Sequence, residues 1–343
     1  MNFYEMAQKA LEVNASDIHL SSGNYPAVRI NGQIMLIGDS PLTKEGVESI
    51  VQICIPPDKF KEYNRTGDID CSIDMENIGR FRVNVFRQNK GTTIVFRTIK
   101  AKVPDLKELM LPPQINKILE LNDGLVLVTG PTGSGKSTTL AALINEMNKN
   151  RRSHIITIED PIEYVHTAKN CIINQREVGS DSKSYARALK AALREDPDII
   201  LVGEMRDLES ISIALTAAET GHLVLSTLHT MGAAMTIDRM VDVFPPQQQQ
   251  QIKTQLSLVL KSVVSQRLLP KSSGNGRIGA FEIMYVNNAI SNLIKEGKTS
   301  NINQMIQTGY SSGMITLERN IKYLVDKGII TEDVASTATY DIK

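Results

Sequence analysis

Hydrophobic and polar residues alternate with a period of two through much of the first hundred residues. The alternation runs through 79–87 and 92–97, and it flanks Asn31-Gly32, a dipeptide that favours a tight β-hairpin. An amphipathic segment over 3–13 precedes these runs. The pattern predicts a small mixed domain over residues 1–98, built on an antiparallel sheet whose outward positions carry arginines.

The pattern changes after a stretch that contains Pro104, Pro112 and Pro113, which we interpret as a linker over 99–113. Beyond it, helical patterns separate short apolar runs, which cover 124–129, 154–158, 198–202 and 222–226. Unbroken apolar runs of this length are typical of parallel strands covered on both faces. The sequence therefore predicts an α/β domain over 114–343.

Beyond Phe244 the chain becomes polar, with a helical rather than a strand-like pattern. Five consecutive glutamines, 247–251, follow a pair of prolines, and we expect them to form the exposed start of a helix. Apolar residues recur with helical spacing near the C-terminus, at Leu317, Ile321, Leu324 and Val325. These features predict a helical C-terminal region within the α/β domain.

The composition is that of an ordinary globular protein, and its charges balance. Among 343 residues, Lys and Arg number 38 and Asp and Glu also number 38, so a general nucleic-acid binder, which usually carries a basic surplus, is not expected. Three scattered cysteines predict neither a disulfide framework nor paired zinc knuckles, which favours a reducing cytosol. With no secretory signal and no apolar run near the ~20 residues of a membrane-spanning helix, we expect any membrane contact to be peripheral.

The strongest chemical motif is Gly130–Ser137, which fits the phosphate-binding pattern G-x-x-x-x-G-K-[ST] and is called the P-loop below. It follows an apolar run and opens a helical segment, so backbone amides are expected to converge on one point at a helix N-terminus. Lys136 would reach the β and γ phosphates, and the Ser137 hydroxyl would ligate Mg²⁺. The motif predicts a site for ATP with Mg²⁺.

Acidic residues follow two strands of the same predicted domain. Residues 159–163, Glu-Asp-Pro-Ile-Glu, leave the run 154–158, and Glu204 follows the run 198–202. Glu204 fits the position of a Walker B carboxylate, which ends an apolar strand and contacts the magnesium shell. A helix-capping or solvated role for these carboxylates is the alternative.

Two histidines flank the last apolar run. His229 lies just beyond its carboxyl end, the side of an open α/β sheet on which ligands bind, and we predict that it senses the nucleotide. His222 lies at the start of the run, where spacing alone supports such a role less. A purely structural role stays open for both.

The arginines of the first domain, Arg80, Arg82, Arg87 and Arg97, have two interpretations. They could be solvated outward residues of a sheet. Alternatively, they reach a phosphate bound by the other domain or by a neighbouring subunit, since a guanidinium binds phosphate oxygens bidentately.

As a set, these motifs resemble the secretion ATPase superfamily, and most closely its type IV pilus retraction ATPases. The matching stretches are 130–138 (Walker A), 157–164 (the Asp box), 193–198 leading to 204–207 (Walker B) and 220–230 (the His box). The resemblance implies a PAS-like N-terminal domain, a RecA-like P-loop ATPase domain with a helical C-terminal region, and a ring-shaped homohexamer with nucleotide between the domains.

The resemblance also implies individual roles. Glu163 would activate water, Glu204 would support the magnesium site, and Arg82 and Arg97 would approach the phosphates. His222 and His229 would link the nucleotide state to conformation. The residues expected to contact the nucleotide are Gly130, Pro131, Thr132, Gly133, Ser134, Gly135, Lys136, Ser137, Thr138 and His222.

Within the superfamily, retraction motors are favoured because the chain enters the first domain almost at once and has no Cys-x-x-Cys. Residues 289–297 also resemble the retraction family's A-I-R-N-L-I-R-E motif, but they depart from it at Ser291 and Lys295, and an ordinary packing helix is the alternative. The expected function is a hexameric ATP-hydrolysing motor that drives pilus retraction and twitching motility. It would act at the cytoplasmic face of the inner membrane, with a membrane-embedded platform protein and other pilus motor ATPases as candidate partners.

Three other functions stay open. A pilus-extension or type II secretion ATPase shares the same motifs. A RecA-like nucleic-acid translocase would need a basic, aromatic channel, which the 5% of aromatic residues and the absence of Trp disfavour. A non-hydrolysing nucleotide-gated scaffold is disfavoured because Lys136, Glu163 and Glu204 are all retained.

Overall fold

The computed structural model describes residues 3–13, 15–30, 32–76, 78–99 and 103–340. The chain divides into two units, Met1–Lys102 with Glu163–Val165, and Val103–Ile162 with His166–Lys343. In the part of the chain that the structure describes, no helix combines the length and the hydropathy that crossing a membrane requires.

The first unit contains a six-stranded sheet in the order β3-β2-β1-β6-β5-β4, with every neighbouring pair antiparallel. Its elements are α1 (Phe3–Glu12), β1 (Asp17–Ser21), β2 (Ala27–Ile30), β3 (Gln33–Leu36), α2 (Lys44–Cys54), α3 (Pro57–Thr66), β4 (Asp68–Met75), β5 (Gly79–Gln88) and β6 (Gly91–Thr98).

The alternation in the sequence explains this sheet. Along β5, Phe81, Val83 and Val85 are fully buried, while the residues between them point to the other face. The predicted hairpin forms: β2 and β3 pair with Ile30 opposite Gln33, although Asn31 of the turn lies outside the described residues. The antiparallel sheet that the alternation predicts is therefore confirmed.

The second unit contains a seven-stranded sheet in the order β13-β12-β7-β11-β10-β8-β9, parallel except for the antiparallel pair β12–β13. A 3₁₀ helix, Pro113–Glu120, precedes it. The elements are β7 (Gly124–Thr129), α4 (Lys136–Asn150), β8 (His154–Glu159), β9 (Ile172–Glu177), α5 (Tyr185–Ala192), β10 (Ile199–Val202), α6 (Leu208–Glu219), β11 (Leu223–Leu228), α7 (Ala233–Asp242), α8 (Pro246–Val259), β12 (Leu260–Pro270), β13 (Arg277–Tyr285), α9 (Asn288–Glu296), α10 (Ile302–Thr308), α11 (Leu317–Asp326) and α12 (Glu332–Tyr340).

Helices cover this sheet on both faces, which is why its central strands are unbroken apolar runs. Every residue of β7, β10 and β11 is buried. Along β7, Leu125 and Leu127 pack into the layer that contains α5, α6 and α7, whereas Val126 and Val128 pack into the layer that contains α4 and the 3₁₀ helix. The parallel, doubly covered sheet predicted from these runs is confirmed.

The expectation of a helical chain beyond Phe244 is wrong for 260–285, which forms the hairpin of β12 and β13 beside β7. Polar residues such as Ser262 and Gln266 interrupt the apolar pattern, yet both are buried. Hydrogen bonds offset the cost of burying them; the Ser262 hydroxyl, for example, donates to the Met284 carbonyl at 2.8 Å. The glutamine run does open a helix, α8, and the spacing of the C-terminal apolar residues does form α11.

Candidate nucleotide site

The predicted site residues of the second unit leave its sheet at one edge. In register, Thr129 of β7 lies beside Leu228 of β11, and Val202 of β10 lies between Ser226 of β11 and Ile158 of β8. Because these strands are parallel, the P-loop, the 159–163 segment, Glu204 and His229 all follow carboxyl ends at the same edge.

The P-loop has the geometry that its glycines permit. Gly130, Gly133 and Gly135 have φ angles of 142°, 78° and 88°, which L side chains rarely adopt. The Lys136 ammonium lies inside the loop, donating to the carbonyls of Gly130 at 2.9 Å and Pro131 at 3.2 Å. Only 8% of Lys136 is exposed. A buried cation at a helix N-terminus favours a polyanionic ligand such as a nucleotide phosphate chain.

His229 connects the P-loop to the Walker B position. One ring nitrogen, Nδ1, lies 3.4 Å from the Thr132 hydroxyl, and the other, Nε2, lies 3.6 Å from Oε2 of Glu204. The same Glu204 oxygen accepts from Nε of Arg206 at 2.6 Å. The structure thus brings together Thr132, Glu204 and His229, three residues that the sequence predicted separately; we call them the Thr132–His229–Glu204 cluster.

The acidic segment after β8 is held, as far as Ile162, by contacts within the second unit. Glu159 accepts from the Thr157 hydroxyl at 2.7 Å, and the buried Glu177 accepts from the Ile162 amide at 3.2 Å. Glu163 follows Ile162 directly and is exposed. Sequence reasoning missed Glu177, which fixes the backbone immediately before the predicted water-activating carboxylate.

Tyr185, another residue that the sequence analysis missed, lies beside Glu204. Its hydroxyl is 3.1 Å from the place that a Cβ at Gly203 would occupy. Burial raises the pKa of Tyr185 well above its ordinary value, and the charges of Glu204, Asp160 and Glu159 raise it further. The phenol therefore stays protonated near this group of carboxylates.

His222 is not brought to the P-loop. It precedes β11, at the amino edge of the sheet, where its Nδ1 lies 3.0 Å from the Ala217 carbonyl and 3.2 Å from the Thr220 hydroxyl. A six-residue strand at roughly 3.3 Å per residue separates it from the carboxyl edge. Within one chain, His222 could contact a nucleotide directly only if the ligand lay at the amino edge of the sheet, opposite the P-loop.

The predicted arginines of the first unit lie side by side. Arg29, Asp17, Arg97 and Arg82 form one row across β2, β1, β6 and β5, so Arg97 and Arg82 are directly opposite on one face. Like charges in that arrangement repel each other. The repulsion is offset because Arg97 donates to Asp17 at 2.9 Å and Arg82 donates through Nε to both oxygens of Asp70 at 3.1 Å.

Asp17 is the buried member of this row, with 5% of its surface exposed. Burial alone would raise the pKa of this carboxyl. Hydrogen bonds from Ser16 and Arg97, with the charges of Arg97 and His19, outweigh that effect and leave the pKa below its ordinary value. Asp17 therefore holds the Arg97 guanidinium as a charged partner.

The turn after His229 is held by the hairpin that the sequence analysis missed. The Gly232 amide donates to the Ser265 hydroxyl at 2.9 Å, and the Ala233 amide, at the start of α7, donates to Glu282 at 2.9 Å. Burial raises the pKa of Glu282 above its ordinary value. The hydrogen bond from the Ala233 amide lowers this pKa, and the charge of Glu318 raises it. These caps come from strands distant in sequence, so no local capping pattern could reveal them.

A cavity of about 760 Å³, within the size range of small-molecule sites, is lined in part by P-loop residues 131–134. Its apolar wall includes Leu268, Leu269 and Val334, and Arg267 and Asp333 supply charge. Arg267 also donates to the Ala338 carbonyl at 3.2 Å, which connects β12 to α12.

The helix that resembles the retraction-family motif is α9, and it packs on α8. Ile290 and Ile294 are fully buried. Ser291 donates from its hydroxyl to the Ser257 carbonyl at 2.6 Å, and the Lys295 carbonyl accepts from Gln250 at 3.1 Å. Ser291, one of the two departures from that motif noted in the sequence, therefore takes part in packing.

The P-loop at the carboxyl edge of a helix-covered parallel sheet, with a strand-end carboxylate beside it, defines a P-loop nucleotide-binding protein. A family model described as "Type II/IV secretion system protein" matches residues 2–336, and the chain belongs to that family.

Two relatives and one solved structure are similar over nearly the whole chain. A Pseudomonas aeruginosa protein named "Type IV pilus retractation ATPase PilT" is 48% identical over 335 residues, covering 98% of this chain and 97% of that protein. A Neisseria gonorrhoeae "Twitching motility protein" is 47% identical over 329 residues, covering 94% and 88%. A crystal structure of the pilus retraction motor PilT with bound ADP has a TM-score of 0.92 at 46% identity, covering 98% and 97%. The predicted resemblance and fold class are confirmed.

Proposed function

We propose that this chain is an ATP-hydrolysing motor for type IV pilus retraction and twitching motility. The observation that carries the proposal is the Thr132–His229–Glu204 cluster beside the P-loop, in a chain whose near-full-length relatives carry retraction and twitching names. A cluster that contacts both a phosphate-binding loop and a strand-end carboxylate has the means to respond to the γ phosphate, which is what a motor requires.

The nucleotide would bind with its phosphates in the P-loop, contacted by residues 130–138, and with its nucleoside in the adjoining cavity. The cavity's apolar wall suits a base, and its volume suits a nucleoside. Lys136 would exchange its bonds to the loop carbonyls for bonds to phosphate oxygens, which are stronger because both partners are charged.

Ser137 and Glu204 are the residues that would hold Mg²⁺. Their hydroxyl and carboxylate oxygens are the donors that Mg²⁺ prefers, and Mg²⁺ in nucleotide sites commonly uses one or two protein ligands with phosphate oxygens and waters completing its shell. When bound, the ion would neutralise charge on the phosphates. Glu204 would exchange part of its pairing with Arg206 for that role.

Glu163 would orient and deprotonate the attacking water, since it is an exposed carboxylate on a backbone that Glu177 fixes. His229 would sense hydrolysis through its two contacts, because loss of the γ phosphate changes the charge next to Thr132 and Glu204. His222 has no place in this scheme within one chain.

The domains would be an N-terminal PAS-like domain over 1–98, a linker over 99–113 and the ATPase domain over 114–343. The assembled form would be a homohexamer, in which Arg82 and Arg97 reach a nucleotide phosphate, exchanging Asp70 and Asp17 for it. The ring would work at the cytoplasmic face of the inner membrane against a membrane-embedded platform protein, with other pilus motor ATPases as further candidate partners.

Two variants test the enzymatic part. Lys136→Ala should weaken ATP binding about 10- to 100-fold, since it removes a charge-assisted contact to the phosphates. Glu163→Gln should keep ATP affinity but lower turnover by about 100-fold or more, since the amide keeps the shape and loses the base. Titration of a fluorescent ATP analogue and steady-state hydrolysis measure the two effects. Unchanged affinity in Lys136→Ala would contradict the nucleotide site, and full turnover in Glu163→Gln would move the base to another carboxylate.

The alternative within the family is an extension or secretion motor. With the gene deleted, a retraction motor leaves cells with surplus surface pili, whereas an extension motor leaves cells without pili. Counting surface pili in the deletion strain separates the two.

A further inference from the structure

Gln266 is a buried polar residue on β12 whose side chain spans the P-loop and α4. Only 2% of it is exposed. Its amide nitrogen donates to the Ser134 carbonyl at 2.6 Å, and its amide oxygen accepts from the Thr139 hydroxyl at 2.8 Å. Both ends of the amide are therefore used, although an apolar residue would fill the same place in a core strand without the cost of burying polar atoms.

The backbone of Gln266 is equally close to the loop. Strand β12 pairs with β7 through Ser265 and Thr129, so Gln266 lies one residue past that pair, beside Gly130. A Cβ at Gly130 would lie only 2.2 Å from the Gln266 carbonyl oxygen. This approach requires glycine at the first position of the loop, independently of any phosphate.

The bond to Ser134 has a consequence for the ligand side of the loop. The carbonyl of Ser134 and the amide N–H of Gly135 belong to one planar trans peptide, in which C=O and N–H point in opposite directions. Because Gln266 holds the carbonyl toward β12, the Gly135 N–H is held pointing away from β12. A peptide flip would turn that donor around and place a carbonyl oxygen where a donor had been.

We propose that Gln266 is a positioning residue of the nucleotide site, which fixes the peptide between Ser134 and Gly135 so that the Gly135 N–H serves phosphate binding. The Ser134 carbonyl can only accept, so the nitrogen of the Gln266 amide faces it, and Thr139 holds the other end by donating its hydroxyl proton to the amide oxygen. The ligand class, a nucleoside di- or triphosphate, rests on the proposed function; the rigidity of the loop does not.

Four variants separate positioning from packing. Gln266→Met keeps the length and loses both hydrogen bonds, and Gln266→Glu keeps an acceptor for Thr139 but cannot donate to Ser134 when ionised. Thr139→Val loses only the hydrogen bond to the Gln266 amide oxygen, and Thr139→Ser keeps it. Gln248→Met, an exposed position on α8, is the matched control for the glutamine-to-methionine change.

The first measurement is hydrogen exchange of the P-loop amides in nucleotide-free full-length protein. The Ser134 N–H donates to the Pro131 carbonyl at 3.1 Å within the loop. Exchange of this amide should be at least about tenfold faster in Gln266→Met and Gln266→Glu, intermediate in Thr139→Val, and the same as in the wild type in Thr139→Ser and Gln248→Met. Amides of β10 should not change in any variant. If Gln266→Met does not fold, as judged by thermal unfolding, Gln266→Glu and the Thr139 pair give the same comparison.

The second measurement is ADP affinity. We expect it to fall about 10- to 100-fold in the two Gln266 variants and to stay near the wild-type value in Thr139→Ser, which keeps the hydroxyl that Thr139→Val removes. Unchanged exchange and affinity in folded Gln266 variants would overturn the proposal. If the wild type itself does not bind ADP, the proposed function fails, while the exchange data still decide whether Gln266 fixes the loop.

Discussion

The two sheets of this protein place the predicted site residues in opposite ways. In the second unit, parallel strands bring residues such as Thr132 and His229, 97 positions apart, to one edge where they contact each other. In the first unit, antiparallel strands place Arg82 and Arg97 directly opposite each other, and each is paired with a carboxylate of the same unit.

This difference indicates which part of the nucleotide chemistry each unit would contribute. The second unit holds a phosphate loop, a carboxylate and a histidine already in contact, and under the proposed function these residues bind the nucleotide. The arginines of the first unit are paired with Asp17 and Asp70, and under the proposed function a phosphate would compete with these carboxylates. Under this account the second unit binds nucleotide, and the first unit accelerates its hydrolysis.

The largest effect expected from breaking this division comes from Arg97→Ala. It should lower ATP turnover of the assembled ring by about tenfold or more, since a guanidinium that stabilises the transferring phosphate is lost. Nucleotide affinity should change little. Arg97→Lys should restore turnover poorly because an ammonium lacks the planar fork. Steady-state hydrolysis with a parallel binding titration measures the split.

Mixing Arg97→Ala with Glu163→Gln subunits shows where the arginine acts. If it acts across a subunit boundary, some interfaces regain both groups and part of the turnover returns. If it acts within its own chain, no turnover returns. Full turnover in the Arg82→Ala and Arg97→Ala rings would instead mean that both are solvated sheet residues.

A smaller effect is expected from the cap on the His229 turn. Glu282→Ala removes the acceptor for the Ala233 amide, a contact of about 1 kcal/mol for a helix cap. It should lower turnover severalfold by loosening His229. Glu282→Gln keeps an acceptor and should stay near the wild type. Hydrolysis rates of the two variants test this expectation, and equal losses would show that the charge rather than the cap matters.

A separate effect, on stability rather than turnover, concerns the response of the second unit to acid. Burial lowers the pKa of His166 to about 4, with a further contribution from Lys169, so the folded protein resists a proton that the unfolded chain accepts near pH 6.5. Stability should be full above pH 6.5 and fall toward pH 4, by at most about 1.4 kcal/mol per pH unit. His166→Gln should flatten this slope in urea unfolding curves.

Asp17 provides the contrast from the first unit. Its pKa is lowered, so its contribution to stability is present above its ordinary value of 3.8 and is lost only as the pH falls below that value. Asp17→Asn should therefore leave the pH 4–6.5 slope unchanged. If Asp17→Asn altered that slope and His166→Gln did not, the pH ranges assigned to the two residues would be wrong.

What could be predicted from the sequence follows from how local each signal is. The P-loop, Glu204 and His229 could be placed because each lies within two residues of the end of a strand with a clear apolar run. Gln266 and Glu282 could not, because they act through hydrogen bonds to residues distant in sequence and lie on strands whose polar residues hide the apolar pattern. The motif groups His222 with His229, yet the two histidines lie at opposite edges of the sheet, separated by the length of β11.

The central claim is that hydrolysis at this P-loop site powers pilus retraction. The most direct test replaces the chromosomal gene with the Glu163→Gln variant and records surface pili and twitching together, beside the wild type and the deletion strain. The account predicts surplus surface pili and no twitching in Glu163→Gln cells, as in the deletion strain. Cells that twitch normally, or that lack surface pili, would contradict it.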